Sequence, residues 1–542
     1  MTETPGARDA AATASSEAQD AARTAGRGGV AVLGAKLFFL VTGFVQQPLL
    51  RLAVGLNDFG GLAQALVVAN AVNNVVVSSG TQGVSRVVAG AKGHEDEALR
   101  ATLRVHVVVA VVVAAAVAVT APLYARFERA DDVVAPLLVL AGVALLYGIY
   151  APLIGYLNGR NRFGRQAALD VTFAALRTLG LAVLAFAFVR HGLSGMLGAT
   201  VGWVAAAALI LPLAARSTGL GAPLDRSRPR PVGVPSTRAY LAILAPIAGA
   251  QLCTNVLMQI DIALLGRFLS ERALTAGLPV DAQRETVKAW LAIYKECQTF
   301  AFLPYQLLFS ITLVLFPMLA RARAQHDEAA VRAYVARGTR LAAIFCGLLV
   351  GAVVAMPESM LSFAYGAADA ARGADVLRTM ALAQGAFAML GIATTVLTSL
   401  GRERTSAAIT LAAVVAVAAA CALFVPEAEL GHDQLVRSAQ ASGGALAATL
   451  FVAAGIVRAR TGAFLSSATV LRVGLAIAAC LGLGFFVPRV GRLVTPLLAL
   501  AVGVAYVVLL VVMREIGRAD VAMVRALGAK KAARVPPATP SR

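Results

Sequence analysis

Residues 104–121 read RVHVVVAVVVAAAVAVTA, eighteen positions with one arginine at the start and one histidine, His106. As an α-helix, rising 1.5 Å per residue, such a run covers about 27 Å, close to the ~30 Å hydrocarbon thickness of a bilayer. Comparable runs recur along the chain. They lie near 30–50, 60–85, 133–157, 167–189 and 193–215, and then near 239–266, 289–319, 339–357, 376–400, 405–425, 441–457, 467–487 and 493–513. With 104–121 that makes about fourteen transmembrane segments. Lipid offers the backbone no hydrogen bonds, so each segment is expected to be helical. The fold expected is therefore all-α and polytopic.

Composition agrees with the pattern. Of 542 residues, 59% are apolar and 14% charged, and the mean hydropathy is +0.76. A soluble domain carries about 25% charged residues, so a soluble enzyme, a disordered chain and a disulfide-rich secreted module are all excluded. Cys253, Cys297, Cys346, Cys421 and Cys480 all fall in apolar stretches, and no disulfide framework is expected. The formal charge of +19 does not call for nucleic acid. Lys and Arg concentrate in the connections on one side of the spans and in residues 514–542, the pattern of the positive-inside rule. This places both termini in the cytoplasm.

Polar segments set the expected boundaries. Residues 1–29 read as a disordered tail, 30–215 as a first lobe of six spans and 216–238 as a proline-rich cytoplasmic linker containing RSRPRPVGVP. Residues 239–457 then form a second lobe, 467–513 an extra helix pair and 514–542 a basic tail. An internal repeat supports two lobes. His94-Glu-Asp-Glu-Ala-Leu-Arg100 matches His326-Asp-Glu-Ala-Ala-Val-Arg332, and Gly159-Arg-Asn-Arg162 matches Gly401-Arg-Glu-Arg404. Each match is six spans apart, so the lobes are expected to be parallel and related about the membrane normal.

Inside hydrocarbon, polar side chains face a bundle interior or a watery cavity. Helical spacing puts Asn70, Asn74, Ser78, Thr81 and Ser85 on one face of the second span. Lys36, Gly43 and Gln47 line up on the first, Gln251, Asn255 and Gln259 on the seventh, and Lys295, Thr299, Gln306 and Ser310 on the eighth, where Pro304 should bend the helix. These stripes fall on equivalent spans of the two lobes and suggest a shared central cavity, with interhelical hydrogen bonding as the alternative. Arg177, near the middle of the fifth span, is the strongest candidate for holding an anion, the alternative being a buried structural pair. Lys36 and Lys295 follow. Asp170 lies two turns from Arg177, too far for a helix-neighbour pair. Arg51 and three other arginines near span ends read as anchors, and His106 as a satisfied interfacial residue.

Several chemistries have no foothold. No GxxxxGK[ST] loop is present, no His/Cys/Asp cluster has metal-ligand spacing, and no nucleophile sits beside a base. No cofactor or metal is expected, and the protein reads as a transporter rather than an enzyme.

The segment LLRLAVGLNDFGGLAQALVVAN, Leu49 to Asn70, resembles the first-loop signature of the polysaccharide flippase family, within the multidrug/oligosaccharidyl-lipid/polysaccharide exporter superfamily. Arg51, Asp58, Phe59 and Gly60 occupy its arginine, acidic, aromatic and glycine places. GYLNGRNRFGRQAALD, QIDIALLGRFLS with Asp261 at the family's acidic position, VLFPMLARA and LSFAYG with the 375–407 stretch extend the resemblance over roughly 30–425. It implies two six-helix lobes around a cavity that opens alternately to each side of a bacterial inner membrane. The implied substrate is an undecaprenyl-diphosphate-linked oligosaccharide, a surface polysaccharide or lipopolysaccharide precursor moved from the inner to the outer leaflet. A polysaccharide polymerase is an implied partner, and a monomer the working unit. Lipid II flipping, cation-coupled drug antiport through Asp170 or Asp261, and a non-transport membrane scaffold stay open as alternatives.

Overall fold

The computed structural model describes residues 5–91, 93–219, 234–486, 490–492 and 494–517. Residues 220–233 of the expected linker, 518–542 of the basic tail and 1–4 of the N-terminal tail lie outside the described residues. The protein is an all-α membrane protein, with sixteen α-helices and no strand among the described residues. They are α1 (Pro5–Gly90), α2 (Glu95–Glu128), α3 (Val134–Gly159), α4 (Phe163–Arg190), α5 (Gly195–Thr218), α6 (Thr237–Leu257), α7 (Ile260–Thr275) and α8 (Val280–Ala301). Then follow α9 (Leu303–Ala324), α10 (Glu328–Ala355), α11 (Pro357–Ala364), α12 (Ala367–Ser399), α13 (Glu403–Phe424), α14 (His432–Thr461), α15 (Ser467–Gly484) and α16 (Thr495–Val512).

Twelve described helices are long and apolar enough to cross a membrane, against the fourteen segments expected. Two features account for the difference. The first two expected spans fall in the single element α1, broken at Gly55, whose φ of 80° and ψ of 176° lie outside helical geometry. That positive φ suits glycine, which has no Cβ to clash. The segment expected at 289–319 is divided between α8 and α9, with Pro304 in the first turn of α9. Proline lacks an N–H and is tolerated there. The chain resolves into two compact units, Met1–Thr299 with Thr410–Ser442, and Phe300–Ile409 with Gly443–Arg542.

In the first unit the helices approach closely where side chains vanish. A Cβ at Gly155 or Gly159 of α3 would meet the Thr81 or Ser85 carbonyl of α1 at 2.8 Å, and Gly180 of α4 faces Gly202 of α5 across their backbones. Small residues of this kind drive helix association in lipid, where apolar surface alone gives no preference. Around them lies a core including Leu50, Phe59, Leu62, Tyr147, Tyr156 and Trp203. The smooth helix α2 turns Val107, Val108, Val111, Val112 and Val119 outward, the surface a lipid-facing helix needs. His106, by contrast, is buried and lies 2.7 Å from the Tyr240 hydroxyl of α6.

In the second unit α15 and α16 pack on α10. The Gly347 position has no room for a Cβ beside Tyr506, nor Gly484 beside the Ala355 backbone. Just past α16, Glu515 accepts from Arg340 Nε of α10 at 2.9 Å and from Thr469 Oγ1 and Arg472 Nη1 of α15 at 2.9 Å each.

The repeated motifs occupy equivalent turns. Arg162 N donates to Leu157 O at 2.8 Å with Asn161 at φ 55°, and Arg402 N donates to Leu397 O at 2.9 Å with Gly401 at φ 74°. Likewise Gly93 (φ 82°) and His326 (φ 55°) each stand two residues before a helix start. The structural partners are thus Asn161 with Gly401 and Gly93 with His326, a register one or two residues away from the alignment of the letters.

Candidate functional site

Arg177 leaves α4 half-buried and reaches across the first unit to α1 and α5. Its Nε donates to Gln46 Oε1 at 3.2 Å, and its guanidinium carbon lies 5.2 Å from the ring centroids of both Phe39 and Trp203. Trp203 Nε1 in turn donates to Tyr147 Oη at 2.5 Å. Two aromatic faces and an amide oxygen orient the cation without neutralising it, since each ring contributes only about 0.5–2 kcal/mol of cation–π attraction. Among the described residues Arg177 makes no ion pair. An anion arriving there would find a positioned donor whose charge is not already spent.

Two turns along α4, Asp170 is paired with Lys36 of α1 at 3.6 Å. Lys36 is therefore tied, on its exposed side chain, to the one acid of that helix. Elsewhere in the first unit, Oε1 of Gln47, the Tyr150 hydroxyl and both amide atoms of Asn73 are buried without a hydrogen-bond partner. Buried polar groups are paired in the great majority of cases, so each of these atoms is a position where water or a ligand atom would be accommodated.

The stripes of the second and seventh expected spans meet. Asn74 Nδ2 donates to Asn255 Oδ1 at 2.9 Å, and Asn255 Nδ2 donates to Gln251 O at 2.8 Å. Asn74 remains exposed, Asn70 and Gln251 are half-buried, and Gln259 is buried at the break between α6 and α7. Gln306 belongs to the second unit and is exposed; the Ser310 side chain lies outside the described residues.

A second polar centre gathers on α7, α8 and α14. Asp261 is buried, accepting from Tyr294 Oη at 2.8 Å and from Ile262 N at 2.8 Å. Tyr294 Oη also lies 3.4 Å from Ser438 Oγ, and Lys295 Nζ donates to Gln298 Oε1 at 3.2 Å. Beside it is a residue the sequence did not mark: Glu296, fully buried, which accepts from Arg51 Nε at 2.9 Å. Arg51, read as an interfacial anchor, instead neutralises a buried carboxylate. Glu296 lies inside the expected span 289–319 but one residue off the stripe of Lys295, Thr299, Gln306 and Ser310, so helical spacing alone did not mark it.

The other signature residues also have structural work. Asp58 Oδ2 accepts from Gly195 N at 2.7 Å and Met196 N at 3.2 Å, the free N-terminal amides of α5. Phe59 is a core residue, and Gly60 lies so close to the Lys288 carbonyl of α8 that a Cβ there would collide with it.

The family model described as "Polysaccharide biosynthesis protein" matches residues 25–323. The chain belongs to that family. No curated protein matches it in sequence. Among solved structures it is similar to a lipid II flippase, MurJ, in an inward closed conformation, with a TM-score of 0.67 at 10% identity over 90% of this chain and 99% of that one. It is also similar to an inward-facing multidrug resistance MATE transporter, TM-score 0.59 at 14% identity over 80% and 98% of the two chains. A transporter from Pyrococcus furiosus, whose binding pocket is described as having reversed polarity, matches at TM-score 0.55 and 15% identity over 80% and 95%. These likenesses establish the fold of the superfamily's flippases and transporters.

Proposed function

We propose that this protein carries an undecaprenyl-diphosphate-linked oligosaccharide from the inner to the outer leaflet of a bacterial cytoplasmic membrane, by alternating access. The observation that carries the reading is Arg177, oriented by Gln46, Phe39 and Trp203 and free of any ion pair among the described residues. A sugar chain cannot cross hydrocarbon unaided, because each unpaired hydroxyl would cost roughly 2–7 kcal/mol. Polar faces on α1 and on α6 and α7, including Asn70, Asn74, Gln251, Asn255 and Gln259, would replace those hydrogen bonds. Arg177 would hold the diphosphate. Lys36 and Lys295, each already near a polar or acidic group, are secondary candidates.

Movement of two negative charges outward is favoured by an inside-negative potential, by about 4.6 kcal/mol at 100 mV. The grip of Arg177 must differ between the two conformations, since equal binding to both shifts neither. Asp170 or Asp261 would couple an ion if the potential is supplemented by one. In this reading the protein works as a monomer beside a polysaccharide polymerase, with both termini in the cytoplasm.

The family match supports a polysaccharide precursor, while the extent of the MurJ likeness keeps lipid II as a second reading. Complementation of a strain lacking its own exporter tests the choice. Arg177→Ala should abolish surface-polysaccharide export at normal expression while the surface control Arg126→Ala preserves it. Full export by Arg177→Ala would remove the residue from the mechanism. Rescue of a depleted peptidoglycan flippase would favour lipid II, and drug efflux lost in Asp170→Asn would favour antiport.

A further inference from the structure

Just beyond α16, Glu515 lies between two arginines, at the end of the second unit's helices that the positive-inside pattern assigns to the cytoplasmic side. The residue is 3% exposed. Its Oε1 accepts from Arg340 Nε and Thr469 Oγ1 and its Oε2 from Arg472 Nη1, each at 2.9 Å, and Arg340 also donates to the Glu515 carbonyl. One carboxylate between two guanidiniums leaves a surplus of one positive charge. The transport reading above makes no use of it, since Arg177 belongs to the first unit and these residues to the second.

Burying Glu515 does not require both arginines. A buried carboxylate needs one opposite charge and donors for its oxygens. Arg340 supplies the charge, and an amide in place of Arg472 would satisfy Oε2 without adding another. Arg472 has five N–H groups. One is spent on Glu515, and the others have no hydrogen-bond partner among the described residues. The Arg472 side chain is 37% exposed, and Arg514, next to Glu515 in the chain, is exposed as well.

The outward surface beside this charge is apolar. On α15, Leu471 is 63% exposed and Leu475, one turn on from Arg472, 52%; on α10, Leu341 is 47% exposed. In a chain that spans a membrane, such side chains face acyl chains. A held guanidinium with N–H groups to spare, at the edge of lipid-facing surface, fits a ligand with an anionic head and an apolar tail. The arginine fork matches phosphate geometry. A surplus of one charge matches a single phosphodiester, whereas a zwitterionic head brings its own ammonium to oppose Arg472.

We infer that Arg472, positioned by Glu515, binds the phosphodiester of a monoanionic phospholipid such as phosphatidylglycerol, with the acyl chains along the exposed face of α15. A lipid held there would brace α15 against α10, whichever substrate the protein carries.

Native mass spectrometry of the purified full-length protein, released from mixed micelles containing phosphatidylglycerol or phosphatidylcholine, tests this without any transport substrate. Its outcome is therefore separate from that of the flippase reading. One phosphatidylglycerol is expected to bind saturably and more tightly than phosphatidylcholine. Arg472→Gln, which keeps a donor for Glu515, should weaken that binding about fivefold or more, the loss of one arginine's attraction to anionic lipid. Arg472→Lys keeps the charge and should lose less. Arg460→Gln, at an exposed arginine in the last turn of α14, should leave the affinity unchanged. Equal binding of the two lipids by the unsubstituted protein would overturn the inference. So would an equal loss in Arg460→Gln, which would assign the preference to diffuse charge, and so would displacement of the lipid by inorganic phosphate, which would assign the site to a free anion.

Discussion

One oxygen of Asp58 holds the first two amides of α5, those of Gly195 and Met196, 137 and 138 residues away in the chain. With Ser194 Oγ accepting from Leu197 N at 3.4 Å, three of the four amides that a helix start leaves unpaired are satisfied. The acidic position of the first-loop signature thus joins the break in α1 to the positive end of a distant helix. Asp58→Ala should cost about 0.5–2 kcal/mol, the range for losing a helix cap. Thermal melting in detergent would measure it, and Asp58→Asn, which keeps an acceptor oxygen, should lose less.

Arg51 and Glu296 make a stronger demand. Glu296 is fully buried, so removing its partner leaves a charge in a low-dielectric interior. Arg51→Ala should therefore destabilise by about 3–5 kcal/mol, whereas the paired replacement Arg51→Met with Glu296→Leu should recover most of that loss. A double-mutant cycle on melting temperature or denaturant midpoint gives the coupling. Strict additivity of the two single substitutions would mean that the ion pair does not hold α1 to α8.

Close approach of α4 and α5 gives a steric prediction. Gly180 and Gly202 face each other with no space for a methyl group on either, so Gly202→Ala must push the helices apart. Overpacking of this kind costs about 1–3 kcal/mol. It should also disturb Trp203, and with it the cradle of Arg177. Trp203 and Trp290 are the two tryptophans of the chain, so the emission of Gly202→Ala in a Trp290→Phe background reports the change directly.

The membrane fold was legible because length and apolarity act locally: a run such as 104–121 needs no tertiary information to become a helix. Arg177 and Asp170 stood out for the same reason, being charges where hydrocarbon should be. What stayed hidden depends on who lies opposite. Gln46 and Gln47 are neighbours, 100° apart on α1. The helical stripe with Lys36 singled out Gln47, yet it is Gln46 that meets Arg177. Glu128 follows the end of the apolar run 104–121 and Glu296 lies off the polar stripe of its own span, and only packing against neighbouring helices buries them. The repeat was visible in its charged letters, but its register is set by the residue with positive φ, a place filled here by Gly93, His326, Asn161 or Gly401.

Glu515 gives the C-terminal helices a dependence on pH. Burial raises its pKa, but the hydrogen bonds from Arg472, Arg340 and Thr469 outweigh burial and hold the carboxyl below the ordinary glutamate value of 4.5. A carboxylate whose pKa is depressed on folding contributes stability that is fully present above its unfolded pKa. That contribution is lost as pH falls through the lower, folded value. Docking of α15 and α16 on α10 should therefore be independent of pH from neutrality down to about 5 and weaken below 4.5. Hydrogen exchange of the α15 and α16 amides, followed from pH 7 to pH 3.5 with correction for intrinsic rates, should show protection falling only at the acid end. In Glu515→Gln, protection should already be reduced at pH 7 and lose this step. An unchanged acid step in that variant would assign it to another carboxylate.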